Sequence, residues 1–284
     1  MSPDKSILVV LERTGDPAPV LRRAVVLARQ TGARLDICLC EAEAAFALQH
    51  QFDTGGTDRV RQLSQQKAHA WIERVWQSLG AADVPVHIEI VFESPMFEAV
   101  RRRAQASHPE LVVRGIGTAA ECTFSVADAD LVRACPAPLL LTRGRPWRTH
   151  PAVAAALDVS GEEPPQLIHR VLAAAADIAR RCGASVELLF AQPEGSAALA
   201  QPPQARLASH AAAAGVNVAA MHVLSGEPAE VIAEFARRRE YEILVLGALA
   251  HRHTQVGSLT AHLLEALDCD LLLVRPAVAP GSAQ

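Results

Sequence analysis

Short, nearly continuous apolar runs punctuate this chain, and between them apolar residues recur at helical spacing. Ile7-Leu8-Val9-Val10-Leu11 ends in Glu12, and about half a chain later Val153-Ala154-Ala155-Ala156-Leu157 ends in Asp158. The segments after these two runs are alike. Leu21 to Gln30 and Leu167 to Arg181 carry helical apolar spacing and stop at Gly32 and Gly183, the residue type that ends helices. Further apolar runs come next, Leu35 to Leu39 and Val186 to Phe190. Pro95 and Pro228 then mark helix starts, where a missing N–H leaves no bond unmade. Finally Leu111 to Gly115 matches Ile243 to Gly247, and Pro138 to Thr142 matches Asp270 to Val274.

Each half therefore reads β-α-β-α-β-α-β-α-β. The strand runs do not alternate apolar with polar, which is the pattern of a sheet covered by helices on both faces. The fold class is α/β: two tandem doubly wound Rossmann-like domains, each built on a five-stranded parallel sheet. The expected boundaries are 1–143 for the first domain, 144–151 for a linker, 152–276 for the second domain and 277–284 for a loose tail. The halves differ between their second and third strands. The first half carries a long helix there, Arg59 to Leu79, with Val60, Leu63, Trp71, Ile72, Val75, Trp76 and Leu79 on one side. The second has a loop and a short Ala-rich helix between Ala197 and Ala214.

Composition narrows the function classes. Of 284 residues, 50% are hydrophobic and 20% charged, too apolar for a disordered chain. A formal charge of −4 offers no electrostatic footprint for nucleic acid or for an anionic membrane. No apolar run approaches the ~20 residues that span a bilayer, and no signal peptide is expected. Cys38, Cys40, Cys122, Cys135, Cys182 and Cys269 show no C-x-x-C pairing. Idle thiols in a reducing cytoplasm are the plain reading. Arg101-Arg102-Arg103 and Arg237-Arg238-Arg239 are expected to close the third helix of their half, where cations offset the helix dipole. With aromatics at 4%, neither cluster has the stacking platforms of a single-strand binder.

The strand-acid starts at Glu12 and Asp158, Gly226-Glu227-Pro228-Ala229-Glu230-Val231-Ile232, Val245-Leu246-Gly247, Gly257-Ser258 and the closing Cys269-Asp270-Leu271-Leu272-Leu273-Val274-Arg275-Pro276 resemble the universal stress protein family. The closer likeness is to its tandem members, with two such (HUP-type) domains in one chain. Phe124 through Pro138 looks like their degenerate N-terminal domain. The resemblance implies a 3-2-1-4-5 strand order in each half. It also implies that the two final strands pair, so that one chain forms a pseudo-dimer, with further homodimerisation left open.

For chemistry, the resemblance implies an acidic residue near adenine and ribose, and a phosphate loop G-x2-G-x9-G-[S/T]. Backbone N–H groups at glycines and at a helix N-terminus suit phosphate oxygens. In the second half the candidates are Asp158, Val159, Gly247, Ala250, Gly257 and Ser258, and Ser258 is placed to cap the last helix. ATP or AMP, with Mg²⁺, are the candidate ligands. Two departures stand out. Ala250 replaces the second glycine, and six residues, His251 to Val256, separate it from Gly257 where the family pattern has nine. The first-half counterparts are Glu12, Gly115 and Ser125, where Val126 follows the serine and argues against a phosphate site.

No constellation argues for catalysis, and a P-loop lysine is absent. A slow ATPase ranks lowest of the readings. His251, His253 and His262 are conceivable zinc ligands, with unliganded loop histidines the commoner outcome. The leading expectation is a non-enzymatic cytoplasmic stress-response protein that binds a ligand or partner. Its rivals are a protein-interaction module, using residues 44–57 and the helix bearing Trp71 and Trp76 to engage unknown protein partners, and a carrier of a small apolar ligand.

Overall fold

The computed structural model describes residues 5–13, 15–41, 54–93, 95–117, 124–195, 199–248 and 257–276. The chain divides at Gly144–Arg145 into two compact units. The first unit runs β1 (Ser6–Glu12), α1 (Ala18–Thr31), β2 (Arg34–Cys40), α2 (Thr54–Ser78), β3 (Val86–Val91), α3 (Met96–Ser107), β4 (Leu111–Gly115), α4 (Val126–Ala134) and β5 (Leu139–Thr142). Its strands lie in the order β3-β2-β1-β4-β5, all parallel.

The second unit runs β6 (Val153–Ala156), α5 (Pro165–Arg181), β7 (Val186–Gln192), α6 (Pro203–Ala213), β8 (Val218–Ser225), α7 (Pro228–Arg239), β9 (Ile243–Gly247), α8 (Ser258–Ala266) and β10 (Asp270–Val274). Its order is β8-β7-β6-β9-β10, again parallel throughout. Both units thus have the expected 3-2-1-4-5 arrangement.

Central strands are buried on both faces, as their unbroken apolar runs require. Ile7 to Val10, Ala154, Ala155 and Ile243 to Val245 are fully buried. The helices cover them with apolar stripes. In α5, Leu167, Ile168, Val171, Leu172, Ala175, Ile178 and Ala179 all face inward at helical spacing. Gly32 ends α1 in the left-handed conformation at φ 66°, its N–H donating to the Ala28 carbonyl.

Three local expectations need correction. The long helix α2 starts at Thr54, earlier than expected, and its apolar side is only partly covered. Ala68 and Ile72 are buried, whereas Leu63 is 49% exposed. Arg101 to Arg103 sit in the middle of α3, which continues to Ser107, so they do not serve its dipole. Arg102 pairs with Glu93 and Arg103 with Glu89 instead. The second cluster behaves as expected, with Arg237, Arg238 and Arg239 in the last turn of α7. Third, Ser258 is the first helical residue of α8 and does not cap it. Gly257 is the N-cap, in an extended conformation with no side-chain bond to the helix.

Candidate functional site

In each unit the strand order reverses at the first strand, where β1 lies between β2 and β4, and β6 between β7 and β9. Crossovers to opposite faces of the sheet leave a crevice beyond the carboxyl ends of those strands, the usual ligand position in open α/β sheets. In the second unit this crevice is a cavity of about 570 Å³, within the ordinary range for small-molecule sites.

The strand ends Ala156 to Asp158, Phe190 to Gln192 and Leu246-Gly247 contribute to the cavity wall. So do the helix starts at Glu227-Pro228 and at Gly257-Ser258. Four of the six sequence-chosen residues, Asp158, Gly247, Gly257 and Ser258, therefore meet at one cavity. Val159 is fully buried and is not among the lining residues. Ala250 lies outside the described residues, as do His251 and His253 of the conceivable zinc site. Among the described residues no group of three His, Cys, Asp or Glu side chains could hold a metal ion.

Local bonds fix the geometry of the cavity rim. Asp158 Oδ1 accepts the Ser160 backbone N–H at 2.8 Å, which turns the chain out of β6. The Asp158 N–H donates to Glu163 Oε2 at 3.4 Å, and Arg206 donates to the Ser160 carbonyl at 3.2 Å. A side chain at Gly247 would crowd its neighbours. A Cβ there would stand 2.8 Å from Glu163 Oε1 and 3.3 Å from Leu167 Cδ2. The buried Thr260 hydroxyl donates to the Gly247 carbonyl at 3.4 Å and ties α8 to the end of β9. Gly257 offers no side-chain cap to the first N–H groups of α8, the kind of donors that suit an anionic or polar ligand atom.

At the same place the first unit is built differently. Arg114, in β4, binds the Glu12 carboxylate and donates from Nε to Asp128 Oδ1 at 3.0 Å. Asp128 Oδ2 accepts the Ser125 N–H at 2.9 Å, and Ser125 Oγ accepts the Asp128 N–H at 3.2 Å, a complete capping box. Burial works against the Arg114 charge, but Asp128 and Glu12 more than offset it and raise its pKa. The strand-end acid and the helix start are thus joined by the protein's own guanidinium. Gly115 follows Arg114 at the end of β4, where a side chain would collide with Val20. The sequence reading overlooked Arg114 and Asp128. Their signals were an arginine inside an apolar strand and a Ser-x-x-Asp box.

A second polar cluster sits toward the start of β7 in the second unit. Glu187 accepts from His222 Nε2 at 2.8 Å, Tyr241 OH at 2.5 Å and Arg239 Nη2 at 2.7 Å. Burial raises the Glu187 pKa, but these three donors outweigh it and bring it below the usual value. The same burial, with the carboxylate beside it, pushes the Tyr241 hydroxyl up.

Residues 153–275 match the model of the universal stress protein family. Over 96% of its length the chain is 25% identical to Universal stress protein E of Escherichia coli K12, covering 94% of that protein. The Universal stress protein E homolog of Haemophilus influenzae is 23% identical over the same share of this chain and 97% of its own. The crystal structure of a universal stress protein from Archaeoglobus fulgidus superposes with a TM-score of 0.71 at 12% identity, covering 97% of this chain and all of that one, a likeness of fold.

Proposed function

Residues 153–275 are a universal stress protein domain, and on that premise we propose that the second unit binds an adenine nucleotide or nucleoside in a stress response. The chain acts by binding, in the cytoplasm, without catalysing a reaction. One observation carries the reading: a strand-end carboxylate, Asp158, and an uncapped helix start, Gly257-Ser258, line the same cavity at the sheet's reversal point. Asp158 accepts hydrogen bonds from ribose or adenine there, and the α8 N–H groups face the polar end of the ligand. The first unit, with Arg114 already between Glu12 and Asp128, serves as structure.

Titration of the purified chain with ATP, AMP and adenosine, followed by native mass spectrometry, tests this. One ligand per chain is expected, and Asp158→Ala should weaken binding by about tenfold or more, the worth of a hydrogen bond to a charged group. Unchanged affinity in that variant would refute the assignment. A second reading, partner binding through α2, draws on the exposure of Leu63. Leu63→Glu would then release a protein partner that the parent chain retains.

A further inference from the structure

The first unit holds a pair of thiols that the nucleotide reading does not use. Side chains alternate along β2, so Asp36, Cys38 and Cys40 share one face and Leu35, Ile37 and Leu39 the other. Cys38 is fully buried, Cys40 is 2% exposed, and their sulfurs stand 4.0 Å apart. Cys40 ends the strand, level with Glu12 at the end of β1. The pair therefore lies at the carboxyl end of the first sheet, beside its reversal point.

Charged side chains flank the two sulfurs. The strand register sets Glu89 of β3 beside Cys38 and Glu12 of β1 beside Cys40. Both carboxylates are engaged, Glu89 by Arg103 and Glu12 by Arg114. The thiols meet each other in a weak sulfur hydrogen bond. On this face the hard oxygen donors are taken up by guanidinium groups, and two soft sulfur donors stand side by side.

Neighbouring thiols can form a disulfide or share a metal ion. Residues i and i+2 of a strand have Cβ atoms roughly 6.6 Å apart, against about 3.8 Å in a disulfide, so that bond would distort β2. A bridging cation meets no such obstacle. With metal–sulfur bonds of about 2.3 Å, sulfurs 4.0 Å apart subtend roughly 120° at the metal, and about 0.6 Å more separation makes the bonds linear. Zinc completes a tetrahedron of four ligands, and among the described residues no group of three His, Cys, Asp or Glu side chains could hold a metal ion. Thiolates select soft cations, and a cation satisfied by two of them is of the Cu(I) class. We propose that Cys38 and Cys40 bind one soft, low-coordinate cation of the Cu(I) class as a dithiolate. Two S–H bonds break, two metal–sulfur bonds form, and two protons leave to solvent with no change of oxidation state. The charges of Arg103 at Cys38 and of Arg114 at Cys40 favour this anionic product, with Glu12 acting against Arg114 at Cys40.

The test is anaerobic titration of the reduced full chain with Cu(I) in competition with bicinchoninate. One ion per chain should resist the competitor. Cys38→Ala and Cys40→Ala should each weaken retention at least tenfold, whereas Cys182→Ala, in the second unit, should leave it unchanged. No retained copper, or equal retention in both strand variants, would overturn the proposal. Circular dichroism checks that the variants fold. If they do not, X-ray absorption of the copper-loaded parent decides: two sulfur neighbours support the site, and nitrogen, oxygen or further sulfur neighbours overturn it. Zn²⁺ held at the same stoichiometry against a chelator, and lost in the same two variants, would make the site a four-ligand one and overturn the low-coordinate assignment.

Discussion

Arg114 and Leu246 hold corresponding places in the two repeats, and the difference between them sets what each strand-end acid requires. Asp128 is 1% exposed, so its charge depends on Arg114 and on the Ser125 donors. Arg114→Leu should cost about 3–5 kcal/mol in urea unfolding, the usual penalty for orphaning one member of a buried ion pair. Replacing Asp128 by Ala in the same chain should recover part of that loss, because no buried charge is then left unmatched. At this scale the sequence was only partly legible. Asp158 could be picked out because a carboxylate ends an apolar run. The Arg114 triad could not, because its three members are separated along the chain and meet only when β1, β4 and α4 assemble. Ser258 misled for a subtler reason: a serine after a glycine reads as a cap, yet the extended torsions fall on Gly257 and move the helix start by one residue.

Strands were the most legible elements, since an unbroken apolar run reports burial on both faces without help from its neighbours. Helix ends were harder. The start of α2 at Thr54 precedes its apolar periodicity, and the run of arginines in α3 looked terminal only because no glycine marked the true end. His108 closes α3 in the left-handed conformation, a role more often taken by glycine. Contacts between elements also carry predictions. Gly247→Ala would drive a methyl group into the Glu163 carboxylate and Leu167, and should reduce ligand affinity more than it lowers the unfolding temperature. The Glu187 cluster joins β7, β8 and the end of α7. Its carboxyl has a lower pKa folded than unfolded, so its stabilisation holds above the ordinary carboxylate range and is lost as pH falls through the folded value. Glu187→Gln should therefore lower the unfolding temperature at neutral pH, and the difference from the parent should shrink in a pH series taken below ~4.

For the molecule as a whole, the repeat in the sequence translated directly into two units of identical strand order, because parallel α/β packing is dictated by burial and by crossover handedness. The cavity was less legible. Its walls come from β6, β7, β9 and the starts of α7 and α8, which share no local pattern, so it became visible only with the fold. If ligand enters the second unit alone, hydrogen exchange should slow around residues 156–163, 226–232 and 257–260. Segments around Glu12, Arg114 and Ser125 to Asp128 should exchange as before. The Arg114 bridge between Glu12 and Asp128 in the first unit then bears on how the protein responds to concentration. A chain with two equivalent open sites could couple them and respond sharply over a narrow range. If the second unit alone takes ligand, a single chain should follow a simple saturation curve. It would then report how much ligand is present in a graded way, without a threshold.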